Sequence, residues 1–177
     1  MGVNMVGNCI CDDDAVREAS KQEVVRRYYN ALCSARQGMG GKDEIYRLEL
    51  IMSKLGITPE IRTCAIEARK KAEETSAPAV AIELPDGTIV TGKTSSLLGS
   101  SAAALLNALK KLAGIDDDIL LISPAVIEPI QKLKTKHMGN TNPRLHMDEV
   151  LIALSICAVT APIAAKALDQ LEKLKCT

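Results

Sequence analysis

An α+β fold, helices first and a small sheet after them, is what this 177-residue sequence predicts. Three observations predict it. Apolar residues recur at helical spacing as far as Thr75. The period then switches to apolar and β-branched runs on either side of a Pro85-Asp86-Gly87 turn. Beyond that turn the helical pattern returns, interrupted by a short apolar run at residues 119–122. The expected organisation is a helical segment over residues 1–76 and an α/β domain over residues 77–177. In the second, a hairpin and one short strand form a small mixed sheet packed with helices.

Residues 12–37 read as the first helix. Asp12, Asp13 and Asp14 stand where the positive end of a helix dipole favours carboxylates, and Val24, Tyr28, Leu32 and Ala35 form a stripe behind them. The glycine-rich stretch at 38–41 stops it. A second helix covers residues 42–55, with Ile45, Leu48, Met52 and Leu55 on one side and Gly56 as its terminator. Thr58-Pro59-Glu60 supplies a capping hydroxyl and a first-turn proline for a third helix that runs to Thr75. Residues 79–84 and 88–91 are the hairpin strands, the second β-branched at every position. Residues 95–114 hold a helix that buries Leu105, Leu109 and Leu112, with Ser100 or an earlier serine as its cap. After the short strand, Ser123-Pro124 opens another helix toward Lys136, bent at Pro129. A polar loop ends at His146, which stands three residues before Glu149 as in a capping box. Pro162 breaks the helix that follows, and a last one ends near Lys175.

The composition narrows the function. Basic and acidic residues number 22 each, which provides no electrostatic footprint for nucleic acid. There is no Trp, no Phe and only three Tyr, so stacking platforms for bases are scarce. Residues 150–165 carry no charge, yet they are too few for a bilayer span and read as buried helix. The opening residues lack a secretory pattern, so a cytoplasmic location and free thiols are expected. Cys33, Cys64 and Cys157 read as small core residues. Cys9 and Cys11 form a pair with no second pair nearby to complete a zinc site, and no metal is expected.

Residues 87–93 match the phosphate-loop pattern G-x-x-x-x-G-K-[ST], completed by Thr94. Such a loop curls its free amides around an anion, whereas Thr88, Ile89, Val90 and Thr91 favour a pleat. The match therefore reads as hairpin. A smaller anion site remains open: Lys93, Thr94, Ser95 and Ser96 lie between hairpin and helix, where amides and hydroxyls hold phosphate or carboxylate. Asn142 and Arg144 in the polar loop are the second half of this candidate site, Arg144 as a bidentate anion ligand and His146 as a proton carrier nearby. The bland reading is a helix cap, a solvated lysine and an asparagine-rich turn. No catalytic residue and no cofactor follow from the spacing.

Four long segments carry a resemblance: MGVNMVGNCICDDDAVREASKQEVVRRYYNA, ELPDGTIVTGKTSSLLGSSAAALLNALKKLAG, LLISPAVIEPIQKLK and NPRLHMDEVLIALSICAVTAPIA. Together they resemble the bacterial family catalogued as domain of unknown function 1846, and specifically its C-terminal portion. The resemblance implies a truncated chain. Family members have a longer N-terminal region with its own glycine-rich, phosphate-loop-like segment, and they continue past the last residue here. Met1 is then an internal methionine, and any nucleotide chemistry belongs to the absent region. The expected function is the substrate-side domain of a cytoplasmic enzyme for a phosphorylated or anionic small molecule, inactive alone. The alternative is a non-catalytic packing or oligomerisation module. The expected partners are the anionic ligand, the missing region and a second copy of the chain, since an unpaired edge on a small sheet invites self-association.

Overall fold

The computed structural model describes residues 12–174. They divide into one unit that ends at Thr63 and another that starts at Cys64. The first unit is a helical hairpin of α1 (Asp13–Arg36) and α2 (Lys42–Leu55), which bury Val25 and Ala31 from one helix and Leu48 and Met52 from the other. Asp12 caps α1 by accepting the Ala15 amide at 2.9 Å. At the connection Gly41 has φ 106°, and a β-carbon there would meet the Ala31 carbonyl oxygen at 3.0 Å. Only glycine suits that corner. The proline-led turn at Pro59–Ile61 closes as a 3₁₀ turn, and Arg62 then leaves helical angles at ψ 94°. The third helix, α3 (Thr63–Thr75), therefore starts later than expected, and the Thr58 side chain makes no capping bond. The division of the chain falls at the first turn of α3.

In the second unit β1 (Ala79–Glu83) pairs antiparallel with β2 (Ile89–Lys93), in a register that runs from Ala79 opposite Lys93 to Glu83 opposite Ile89. The connecting turn closes with Gly87 N donating to Leu84 O at 2.8 Å. Gly87 sits at φ 80°, and the Asp86 carboxylate accepts the Thr88 amide at 2.9 Å. The central element is α4 (Ser100–Ala113). It covers the hairpin, and it also receives α6 (Met147–Ala158) and α7 (Pro162–Leu168). Leu109, Leu145, Val150 and Leu154 are fully buried in this core, each stabilising the fold by about 2 kcal/mol of removed apolar surface. Between α4 and α6 lie α5 (Pro124–Lys132) and a single π-helical turn at Leu133–His137. The 3₁₀ turns of Asp169–Leu174 follow α7.

Four expectations need correcting. Residues 119–122 form no strand, so the sheet among the described residues is a two-stranded antiparallel hairpin and the fold is α+β with that sheet alone. Leu121 and Ile122 are both buried while Leu120 is exposed. A half-buried strand cannot put two successive side chains on one face, so the segment packs as an irregular link. The edge expected along it is consequently not there. Second, α4 starts at Ser100 with Gly99 in the cap position, where Ser100 or an earlier serine was expected. Third, the uncharged stretch at 150–165 is buried on one side only: Ile152, Ile156 and Val159 are exposed. Fourth, Cys33 is exposed, and Cys64 and Cys157 are half-buried. The Cys9 and Cys11 pair lies outside the described residues. Among those described, no helix is long and apolar enough to cross a membrane, and no group of three or more His, Cys, Asp or Glu side chains could hold a metal ion.

Candidate anion-binding cleft

Both glycines of the phosphate-loop match have a structural use. Gly87 makes the turn, and residues 89–93 are laddered to β1. Gly92 lies against α4 so closely that a β-carbon would fall 2.1 Å from the Ala104 nitrogen and 2.7 Å from the Ser100 carbonyl oxygen. The glycine is there so that two backbones can touch. Asn107 of α4 completes the contact by donating to Thr91 O at 2.9 Å. The main chain is extended, as its β-branched residues require.

The anion-receptive geometry begins one residue later. Thr94 N donates to Pro78 O at 2.8 Å, and the chain then folds back on itself, with the Ser95 hydroxyl accepting the amides of Leu97 and Leu98 at 3.2 and 3.1 Å. Leu98 forms a parallel bridge with Leu145, through Gly99 N to Leu145 O and Leu145 N to Leu97 O, both at 3.0 Å. The next residues, Gly99 and His146, are the N-caps of α4 and α6. A parallel bridge makes both chains run the same way, so the two helices start side by side with their positive ends together. Gly99 has no side chain with which to cap the first amides of α4.

These two helix starts wall a cleft of about 290 Å³ with Thr94, Asn142 and Arg144. No carboxylate lines it. Arg144 is fixed at Nε, which donates to Ser95 O at 2.8 Å; its terminal amino groups have no acceptor among the described residues. Asn142 accepts the Arg144 amide at 3.1 Å, and its amide nitrogen lies 3.4 Å from His146 Nε2. The expected halves of the site thus meet at Thr94, Ser95, Asn142 and Arg144. Ser95 contributes its carbonyl oxygen and its hydroxyl to the scaffold. Ser96 is exposed, with its carbonyl accepting from Gln131 at 3.1 Å. Lys93 is exposed at the end of β2 and does not line the cleft.

Beneath the cleft is a residue the sequence reading missed. Lys134, only 2% exposed, sits in the π-helical turn, a distortion found often at functional sites. Its ammonium donates to Arg144 O at 2.8 Å and to Glu149 Oε2 at 2.7 Å, and the same carboxylate oxygen accepts the His146 amide at 2.8 Å. Burial pushes the Glu149 carboxyl up. The hydrogen bonds from Lys134 and His146 outweigh it and hold the group below its usual value. One buried cation and one carboxylate therefore fix the backbone on both sides of Leu145. The available signal was position: Lys134 follows Ile127, Ile130 and Gln131 at helical spacing, where an apolar residue is the rule.

A larger concavity in the first unit, about 880 Å³, surrounds the start of α2 with Arg27, Lys42 and Arg47. Asp43 and Glu44 also line it, and Arg27 is engaged by Glu23 at 2.9 Å, so its charge is offset. It fits an anion less well than the cleft of the second unit.

Comparison with known proteins agrees with the resemblance and widens it. The family model described as domain of unknown function DUF1846, C-terminal, matches residues 60–177, and the N-terminal model of the same family matches residues 1–56. The expected restriction to the C-terminal portion is thereby corrected, because the chain spans the junction of both parts. It is 58% identical over 176 residues to a UPF0371 protein of Corynebacterium aurimucosum, and it covers 35% of that protein. It is 54% identical over 175 residues to a UPF0371 protein of Streptococcus pneumoniae and 53% identical to one of Streptococcus thermophilus, again over 35% of their lengths. The chain spans about a third of the length of these curated relatives.

Proposed function

Since this chain belongs to the DUF1846 family, whose description names no activity, we propose from the cleft alone that it supplies the anion-binding wall of an enzyme for a phosphorylated or carboxylated small molecule. One observation carries the reading. Two helix N-termini and the free end of Arg144 converge on a cleft without a carboxylate. Backbone amides at helix starts bind anions, and a guanidinium fork adds two parallel donors. Thr94 and Asn142 orient the ligand, and His146 lines the same cleft. In this reading the reacting groups come from the remainder of a longer, cytoplasmic chain, and the piece described here binds without turnover. Lys93 serves as a distant attracting charge.

The test is a thermal-shift screen with phosphosugars and dicarboxylates, run on this chain and on the longer Corynebacterium relative. A ligand that stabilises both should lose at least tenfold in affinity in the Arg144→Gln variant. Unchanged affinity in that variant would sink the proposal. A packing or oligomerisation module is the second reading, favoured by the exposed stripe of Ile152, Ile156, Val159 and Ile163 along α6 and α7. A dimer by sedimentation that dissociates on Ile156→Glu, together with no ligand from the screen, would favour it.

A further inference from the structure

The second unit contains another buried lysine, and it is paired differently. Lys110 of α4 is 7% exposed, and its ammonium makes one hydrogen bond, to Asp117 O at 2.8 Å. An ammonium carries three donors. No carboxylate stands within ion-pair distance of it among the described residues, in contrast to Lys134 with Glu149. Buried charges are ordinarily paired, because taking an ion out of water is costly. Lys110 also lines a cavity of about 160 Å³ whose other walls include Leu98, Ala103, Leu106, Leu121 and Ile127. Leu120 lines the same cavity and is 65% exposed, so it stands at the mouth. None of these residues lines the Arg144 cleft.

We infer that this cavity binds a short-chain carboxylate, with the carboxylate on the Lys110 ammonium and the apolar tail among the leucines. Size and chemistry both select that class. An apolar cavity near 150 Å³ accommodates benzene, so about six non-hydrogen atoms fit here. One buried cation in a wall that is apolar but for Asn107, whose amide nitrogen is spent on Thr91 O, asks for one negative charge on an apolar body. A phosphosugar is too large and too polar for it. The inference does not depend on the Arg144 cleft.

The probe is sodium butyrate, titrated into the 177-residue chain with methyl-detected NMR, alongside butyramide, which has the same shape without the charge. The expected result is saturable shifts at Leu106, Leu121 and Ile127 with a dissociation constant on the order of 1 mM or tighter, and at least tenfold weaker binding of butyramide. Lys110→Met should abolish the butyrate response. Ala103→Leu keeps the charge and fills the space, so it should abolish the response too, which keeps the test decisive if the lysine variant fails to fold. Equal binding of butyrate and butyramide, shifts that persist in Ala103→Leu, or no shift at concentrations well above that constant would each overturn the assignment.

Discussion

Residues 87–93 and residues 94–102 are neighbours in the chain, and both end against α4, yet they differ in what their backbones have left to offer. The first carries the letters of a phosphate loop, and its main chain is stretched, laddered to β1 and pressed on Ala104. The second has no such letters. It ends at a helix start capped by glycine, next to another helix start, with a guanidinium bound to its own carbonyl. The difference teaches that the letters of a phosphate loop do not make one where the amides are already spent: glycine and lysine at that spacing are not sufficient. On the reading proposed above, the unspent amides of the second stretch are what an anion would meet.

The sharpest way to break this comparison is at Gly92. If its role is close packing, Gly92→Ala should destabilise the chain by about 3 kcal/mol or more, since both α4 atoms nearest the added carbon belong to backbone and cannot swing aside. Urea denaturation should show it as a lower midpoint. A neutral result would mean that strand and helix can part at that point without cost, and the structural account of the motif would fail.

Lys134 comes next. Lys134→Met removes a buried cation, which leaves the Arg144 carbonyl without its donor and Glu149 with the His146 amide but no ammonium. Breaking a buried pair costs about 3–5 kcal/mol, and because the Glu149 side chain is 27% exposed and can rehydrate, about 2 kcal/mol is expected. Hydrogen exchange at His146 and Val150 should rise with it, reporting a loosened start of α6.

Much of this was legible beforehand, and the reasons differ by segment. The hairpin could be read because two local signals agree: the Pro85-Asp86-Gly87 turn and the β-branching that follows it. The bounds of α2 could be read because glycines stand at both ends. Thr94 and Ser95 could be nominated as polar residues between hairpin and helix, and Asn142 and Arg144 as polar residues between helices, but nothing local said that the two links would meet. That depends on the Leu98–Leu145 bridge, a tertiary contact between residues that look like any others in a helical pattern. The cap of α4 was misread because serines suit a cap by type; in the fold the Ser95 hydroxyl closes a turn, Ser100 is the first helical residue and Gly99 takes the cap position. The strand at 119–122 was misread because a short apolar run does not say whether its neighbours will be strands or helices.

A pH experiment sharpens the role of Glu149. Its folded carboxyl is held below the ordinary value of 4.5, so the folded state binds fewer protons than the unfolded state between the two. Stability from this group is fully present above 4.5 and is lost as pH falls through the folded value. The slope of unfolding free energy against pH should therefore be positive on the acid limb, and shallower in Glu149→Gln. An unchanged slope would mean that the Lys134 and His146 contacts do not bias the proton.

The smallest effect should come from Lys93, the residue that the motif would make most important. It is exposed at the end of β2 and outside the cleft lining. Lys93→Ala should change stability by no more than about 0.5 kcal/mol, as for an ordinary surface site. Its influence on anion affinity should be a screened, long-range one. Charges separated by more than about 8 Å are largely masked at physiological salt. Phosphosugar affinity should therefore fall by less than about twofold at that ionic strength, and the deficit should shrink further as salt is raised. Loss of affinity as large as for Arg144→Gln, and insensitive to salt, would return the lysine to direct contact with the ligand and make the hairpin end part of the site.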